Sequence, residues 1–109
     1  MAQASERRWT KKYPKSVPQT IDIHQYNNIL EISDEAIRKF RDQPAFSNFG
    51  CDLSYHELDI YTAQMASFFQ NTLGLKKGDR IAIQLPNVLQ LPIVLFAAFR
   101  AGLIVVNTN

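Results

Sequence analysis

One cysteine, Cys51, stands in 109 residues. No internal disulfide can form, and a reducing cytoplasm is the natural setting for such a chain. Glycine is scarce as well. Gly50, Gly74, Gly78 and Gly102 are each isolated, so the chain has no Gly-rich loop of the kind that cradles phosphate. The two histidines, His24 and His56, are too far apart and too isolated to suggest a metal site. Long apolar runs are missing too. The longest, Leu91 to Val106, is interrupted by Pro92, Arg100 and Gly102 and is shorter than the ~20 apolar residues a spanning helix needs. The N-terminus has charge with no apolar stretch after it, which argues against a signal peptide.

What is present is an ordinary globular composition, 46% hydrophobic and 20% charged, in a chain the size of one small domain. The net charge of +2 is unevenly placed. Residues 1–20 carry Arg7, Arg8, Lys11, Lys12 and Lys15 against Glu6, while residues 21–109 carry seven basic and nine acidic groups. The basic character therefore belongs to an arm, residues 1–27, punctuated by Pro14 and Pro18. Such an arm reads as extended, with Trp9, Tyr13 and Tyr26 as aromatics able to pin it to a surface. Basic groups that serve nucleic acid line a folded face, so no nucleic-acid partner is expected.

From Asn28 the spacing of Ile29, Ile32, Ala36, Ile37 and Phe40 predicts a helix, with Asn28 as N-cap and Glu31 three residues on. Asp34–Arg38 and Glu35–Lys39 are i, i+4 pairs. Residues 44–49 and 53–55 read as a hairpin turning at Gly50-Cys51-Asp52. Ser54 and Glu57 form a capping box, opening a helix with Leu58, Tyr61, Met65, Phe69 and Leu73 on one face and Gly74 at its end. A turn at 76–79, a strand over 80–85, a helix over 88–101 capped by Asn87, and a strand over 103–106 make a βαβ unit with a parallel pair. The fold class is thus α/β. Helix 88–101 is apolar all round and the last strand is branched and apolar, which demands cover on every side. The expectation is a segment cut from something larger.

Three stretches carry a resemblance. PAFSNFGCDLSYHEL (44–58), LGLKKGDRIAIQLPN (73–87) and LPIVLFAAFRAGLIVVNTN (91–109) resemble, in order and spacing, the adenylate-forming (AMP-binding) superfamily. The VVNTN ending is similar to that of its fatty acyl-CoA ligases. The arm, WTKKYPKSVPQTIDIHQYNNILEI, resembles the start of bacterial long-chain members. The resemblance implies the first, outer part of a large N-terminal domain in an enzyme that joins a long-chain fatty acid to ATP as an acyl-adenylate. Pyrophosphate leaves, and the acyl group passes to coenzyme A, with Mg²⁺ accompanying the ATP. A short-chain or aryl acid ligase is the sister alternative.

The family's phosphate loop, its Tyr-Gly-x-Thr-Glu segment, its ribose-binding Asp and its adenylation Lys match nothing in residues 1–109. The segment is therefore expected to hold no catalytic, cofactor-binding or metal-ligating residue and to be inactive alone. The more conspicuous side chains have plainer readings. Cys51 has no activating neighbour in sequence, and His56 sits at a solvated early helix position. Asp79 does turn chemistry, and Lys76 and Lys77 suit a helix end rather than a phosphate. Arg100 caps carbonyls or pairs with an acid in the missing part. The partners expected are the remainder of the ligase chain or, on a non-catalytic reading, a second copy through helix 88–101. The basic arm reads first as a disordered or docked segment; weak contact with a membrane surface, which would place the enzyme on its inner face, is the alternative.

Overall fold

The computed structural model describes residues 7–109; Glu6 and the five residues before it lie outside it. The expected arm is not extended throughout. A single 3₁₀ turn, Arg8–Lys12, forms near its start, closed by Thr10 Oγ1 donating to the Arg7 carbonyl at 2.8 Å.

Helix α1 (Ile29–Phe40) starts as the sequence predicts, with Asn28 Oδ1 accepting from the Glu31 N–H at 3.1 Å. The Glu31 carboxylate turns back onto the N–H and side-chain amide of Asn27, both at 2.9 Å. These donors hold the Glu31 carboxyl below its ordinary pKa, the backbone bond most of all. Neither predicted charge pair forms an ion pair, and the members of the second make other contacts. Glu35 accepts from the Tyr26 hydroxyl at 2.7 Å, and Lys39 lies 5.3 Å from the Phe40 ring centroid. That hydroxyl bond to a carboxylate raises the Tyr26 pKa. The apolar face is also turned from the expected one. Leu30, Ser33 and Ile37 look toward the body, while Ile29 and Ile32 stay exposed.

Strands β1 (Pro44–Asn48) and β2 (Cys51–Ser54) pair antiparallel. The turn is tighter than the sequence suggests. Only Phe49 and Gly50 lie between the paired Asn48 and Cys51, with φ of 49° and 76°. A two-residue hairpin turn with positive φ at both central positions, the type I′ form, is one that Gly50 meets freely and Phe49 only under strain.

Helix α2 (Tyr55–Ser67) opens on the predicted capping box: Ser54 accepts from the Glu57 N–H, and Glu57 accepts from the Ser54 N–H at 2.9 Å. The bonds from Ser54 hold the Glu57 carboxyl below its ordinary pKa. The buried stripe of α2 is Leu58, Thr62 and Ala66, continued by Phe69, rather than the Tyr61, Met65, Leu73 set. A π turn, Phe68–Thr72, comes next, where the Leu73 N–H reaches five residues back to the Phe68 carbonyl at 3.1 Å. The wide turn changes the phase of the helix and leaves Leu73 outside.

Strand β3 (Arg80–Ile83), helix α3 (Gln90–Arg100) and strand β4 (Ile104–Asn107) form the βαβ unit, with β3 and β4 parallel and Ile81 opposite Val105. Helix α3 begins two residues later than expected, and Asn87 does not cap it: the flanking residue is Leu89, with no side-chain cap. Pro92, third in the helix, sacrifices only an N–H that has no helical partner there. The helix ends with the Leu103 N–H on the Ala98 carbonyl and the Gly102 N–H on the Phe99 carbonyl, Gly102 having φ 72°. The left-handed backbone favours glycine at Gly102, and a Cβ there would also press on the Lys77 side chain, 3.0 Å from its Cγ.

The core lies between α2, α3 and the parallel pair: Ala66, Phe69, Ala97, Ala98, Ala101 and Leu103, flanked by Met65, Leu75, Ile81, Val94 and Val105. Small residues at the crossing let the helix backbones come close, and Ala97 and Ala98 are 0% exposed. Among the described residues no helix is long and apolar enough to cross a membrane.

Candidate functional site

Three features stand out from the packing. The first is an anchor. Arg100, in the last turn of α3, crosses to α2, where Nη2 pairs with Asp59 Oδ1 at 2.6 Å. Its Nη1 donates to the Asp59 carbonyl at 2.8 Å and to Thr62 Oγ1 at 2.9 Å. Thr62 in turn donates back to the Leu58 carbonyl at 2.7 Å, which satisfies a hydroxyl that is almost wholly buried. The acid that Arg100 needs thus lies within this chain, and Asp59 and Thr62 are the partners sequence reasoning missed. The available signal was a threonine three residues after an aspartate on one helix. The arrangement locks α2 against α3 and commits the guanidinium to packing rather than to a ligand.

The second feature is a pair of apolar grooves flanking the N-terminal half of α3. One, about 370 Å³, lies between the hairpin and the helix start, lined by Phe46, Ser47, Asn48, Val88, Leu91, Leu95 and Phe96 among others. Asn48 Nδ2 reaches across it to the Asn87 carbonyl at 2.8 Å and ties the hairpin to the loop before α3. The other, about 600 Å³, is lined by Tyr61, Met65, Phe68, Ile93 and Val94, with Gln64 and Gln90 as its polar edges. No charged side chain lines either. Their chemistry is that of a packing surface rather than of a reaction.

The third feature is the outer face of β4, where Ile104 and Val106 remain 45% and 42% exposed. The sequence predicts that helix 88–101 needs more cover than this segment supplies, and Leu91, Ile93, Val94, Leu95 and Phe96 are only half-buried.

The remaining candidates are dispersed. Cys51 is exposed beside the hairpin turn. His56 is half-buried rather than solvated: its Nε2 faces Arg41 Nη2 at 3.2 Å, and its Nδ1 is buried without a partner. Asp79 closes its turn by accepting from the Lys76 N–H at 2.8 Å, as turn chemistry requires. Lys77 packs on Gly102. Among the described residues no three His, Cys, Asp or Glu side chains come together to hold a metal ion.

A sequence model of the AMP-binding enzyme family matches residues 33–109, which takes in every element from within α1 to β4. The chain belongs to the AMP-binding enzyme family. Within that family it is 44% identical over 104 residues to a long-chain-fatty-acid–CoA ligase of Yersinia pestis. It is 35% identical over 105 residues to one of Bacillus subtilis. The alignments cover 95% and 96% of this chain but 18% of each relative, so the chain spans under a fifth of the length of the curated relatives it matches. A 2,3-dihydroxybenzoate-AMP ligase of Bacillus subtilis is 39% identical over only 64 residues, 59% of this chain and 12% of that one. The N-terminal subdomain of Klebsiella oxytoca NpsA superposes with a TM-score of 0.74 at 28% identity, over 83% of this chain and 23% of that one. The helix, hairpin and βαβ order is therefore that of the N-terminal subdomain of adenylate-forming enzymes.

Proposed function

We propose that this segment is scaffold in a long-chain fatty-acid–CoA ligase, an enzyme that forms an acyl-adenylate from fatty acid and ATP and then a thioester with coenzyme A. The observation that carries the reading is coverage. Similarity to the long-chain ligases runs over 95% of the chain, arm included, whereas similarity to the aryl acid ligase stops at 59%. ATP, its Mg²⁺ and coenzyme A belong to the parent reaction. The described residues do not fit any of them. The glycines are isolated turn and cap positions, no three His, Cys, Asp or Glu side chains among the described residues are placed to hold a metal ion, and the Arg100 guanidinium is already engaged by Asp59 and Thr62. No chemical step is assigned to this segment.

Its role is to present apolar surface. The two grooves and the outer face of β4 take the remainder of the ligase chain, which in the relatives makes up more than four-fifths of the length. Exposed apolar faces of this extent mark interfaces, and a second copy of the segment is the competing occupant. The reading places the enzyme in the cytoplasm, peripheral on the inner face of the membrane where its substrate partitions. The test is thioester formation by the full-length protein, with ATP and coenzyme A, on a long-chain fatty acid against 2,3-dihydroxybenzoate. Turnover of the fatty acid with pyrophosphate release is expected; turnover of the aryl acid alone would overturn the reading.

A further inference from the structure

The arm is built unlike the body it precedes. From Arg7 to Gln25 every residue except Thr10 is exposed, and this stretch includes Trp9, Tyr13, Val17, Ile21 and Ile23. Ile21 is 87% exposed, more than any large hydrophobic residue of the body except Phe49. Five cations fall between Arg7 and Lys15, and no acid comes after them before Asp22. Contacts that tie the end of the arm to α1, Tyr26 on Glu35 and Asn27 on Glu31, lie beyond this charged stretch. The 3₁₀ turn and the two prolines fold the arm so that Tyr13, Val17 and Ile21 share one concavity with Arg7. Apolar side chains and positive charge thus stand together on an exposed segment.

We infer that residues 7–23 are a contact for an anionic lipid surface, with the cations on the headgroups and Trp9, Tyr13 and Ile21 in the interfacial layer. Charge alone attracts a segment to an anionic leaflet, and apolar area alone binds it weakly; the two together hold it there reversibly. Tryptophan and tyrosine suit the headgroup level because each has an apolar body and a polar edge. An acidic protein surface would satisfy the cations but would not call for exposed isoleucines beside them, and so is the weaker partner. The inference deepens the peripheral location proposed above and rests on that reading.

The test is cosedimentation of the full-length protein with vesicles of phosphatidylcholine containing phosphatidylglycerol, against phosphatidylcholine alone. Ligase activity on a water-soluble acyl substrate is measured in parallel. At about fivefold per cation, the combined Arg8→Gln, Lys12→Gln and Lys15→Gln variant should bind anionic vesicles on the order of a hundredfold more weakly. Trp9→Ala should weaken binding severalfold, and both variants should keep their activity on the soluble substrate. Equal binding to neutral and anionic vesicles, or binding untouched by these variants, would overturn the inference. So would variants that change oligomeric state and not vesicle binding, which would make the partner a protein. An inactive parent that still binds anionic vesicles through the arm would sink the ligase reading and leave the lipid contact standing.

Discussion

The two halves of α3 are equally apolar in sequence and differ in fate. In the C-terminal half Ala97 and Ala98 are sealed against α2, and Arg100 is pinned by Asp59 and Thr62. In the N-terminal half Leu91, Leu95 and Phe96 border an open groove. Hydrophobicity decides that a helix must be covered; the partners within reach decide where it is. Here α2 and the parallel strands close over the C-terminal half and cover the N-terminal half only in part, through Pro92 and Val94, which leaves apolar surface on that half.

Substitutions can sharpen or break that contrast, all read as denaturant midpoints of the full-length protein. The largest effect should come from Phe69→Ala in the closed half, a loss of about 3–5 kcal/mol. Leu95→Ala belongs with it at about 2–3 kcal/mol only if the groove is filled in the full-length protein. A negligible loss there would mean that the groove stays open. Arg100→Leu should cost about 1–2 kcal/mol by removing the bonds to Asp59 and Thr62, and Arg100→Lys should recover part of it because it restores charge but not the forked geometry.

Smaller effects belong to the turns. Phe49→Gly should stabilise by about 1 kcal/mol, since it relieves a left-handed backbone at a side chain 95% exposed. Ser54→Ala should cost about 1 kcal/mol through the lost cap. The smallest effect is pH-dependent. Glu57 has a folded pKa below its ordinary 4.5, so its contribution is full above that value and fades as pH falls through the depressed one. Glu57→Gln should therefore lower stability at neutral pH and narrow its distance from the parent in acid, as measured by unfolding across that range.

Local chemistry is legible in the sequence. The Asn28 cap, the Ser54–Glu57 box, the Asp79 turn and the Gly102 helix stop each involve residues within a few positions of one another. The features that escape a sequence reading are set from a distance or by a change of phase. Asn87 looks like a cap, yet its carbonyl is engaged by Asn48 from the hairpin, and α3 starts beyond it. The stripe of α2 differs from its apolar pattern because Arg100, far along the chain, makes Thr62 a buried residue, and because the π turn rotates the residues after it. The hairpin turns one residue early because Phe49 accepts a conformation that aromatic residues seldom take. The family is visible because its motifs are runs of local structure in a fixed order. The grooves cannot be placed in advance, since they lie between elements whose packing the residue pattern does not specify.

On the proposed reading, the rest of the enzyme covers the apolar surface that this segment carries. Its most direct test is the oligomeric state and unfolding cooperativity of the 109-residue chain alone, by light scattering and thermal melting. Self-association or a broad melt is expected, relieved when the next portion of the AMP-binding domain is present. A monodisperse monomer with one sharp transition would contradict it.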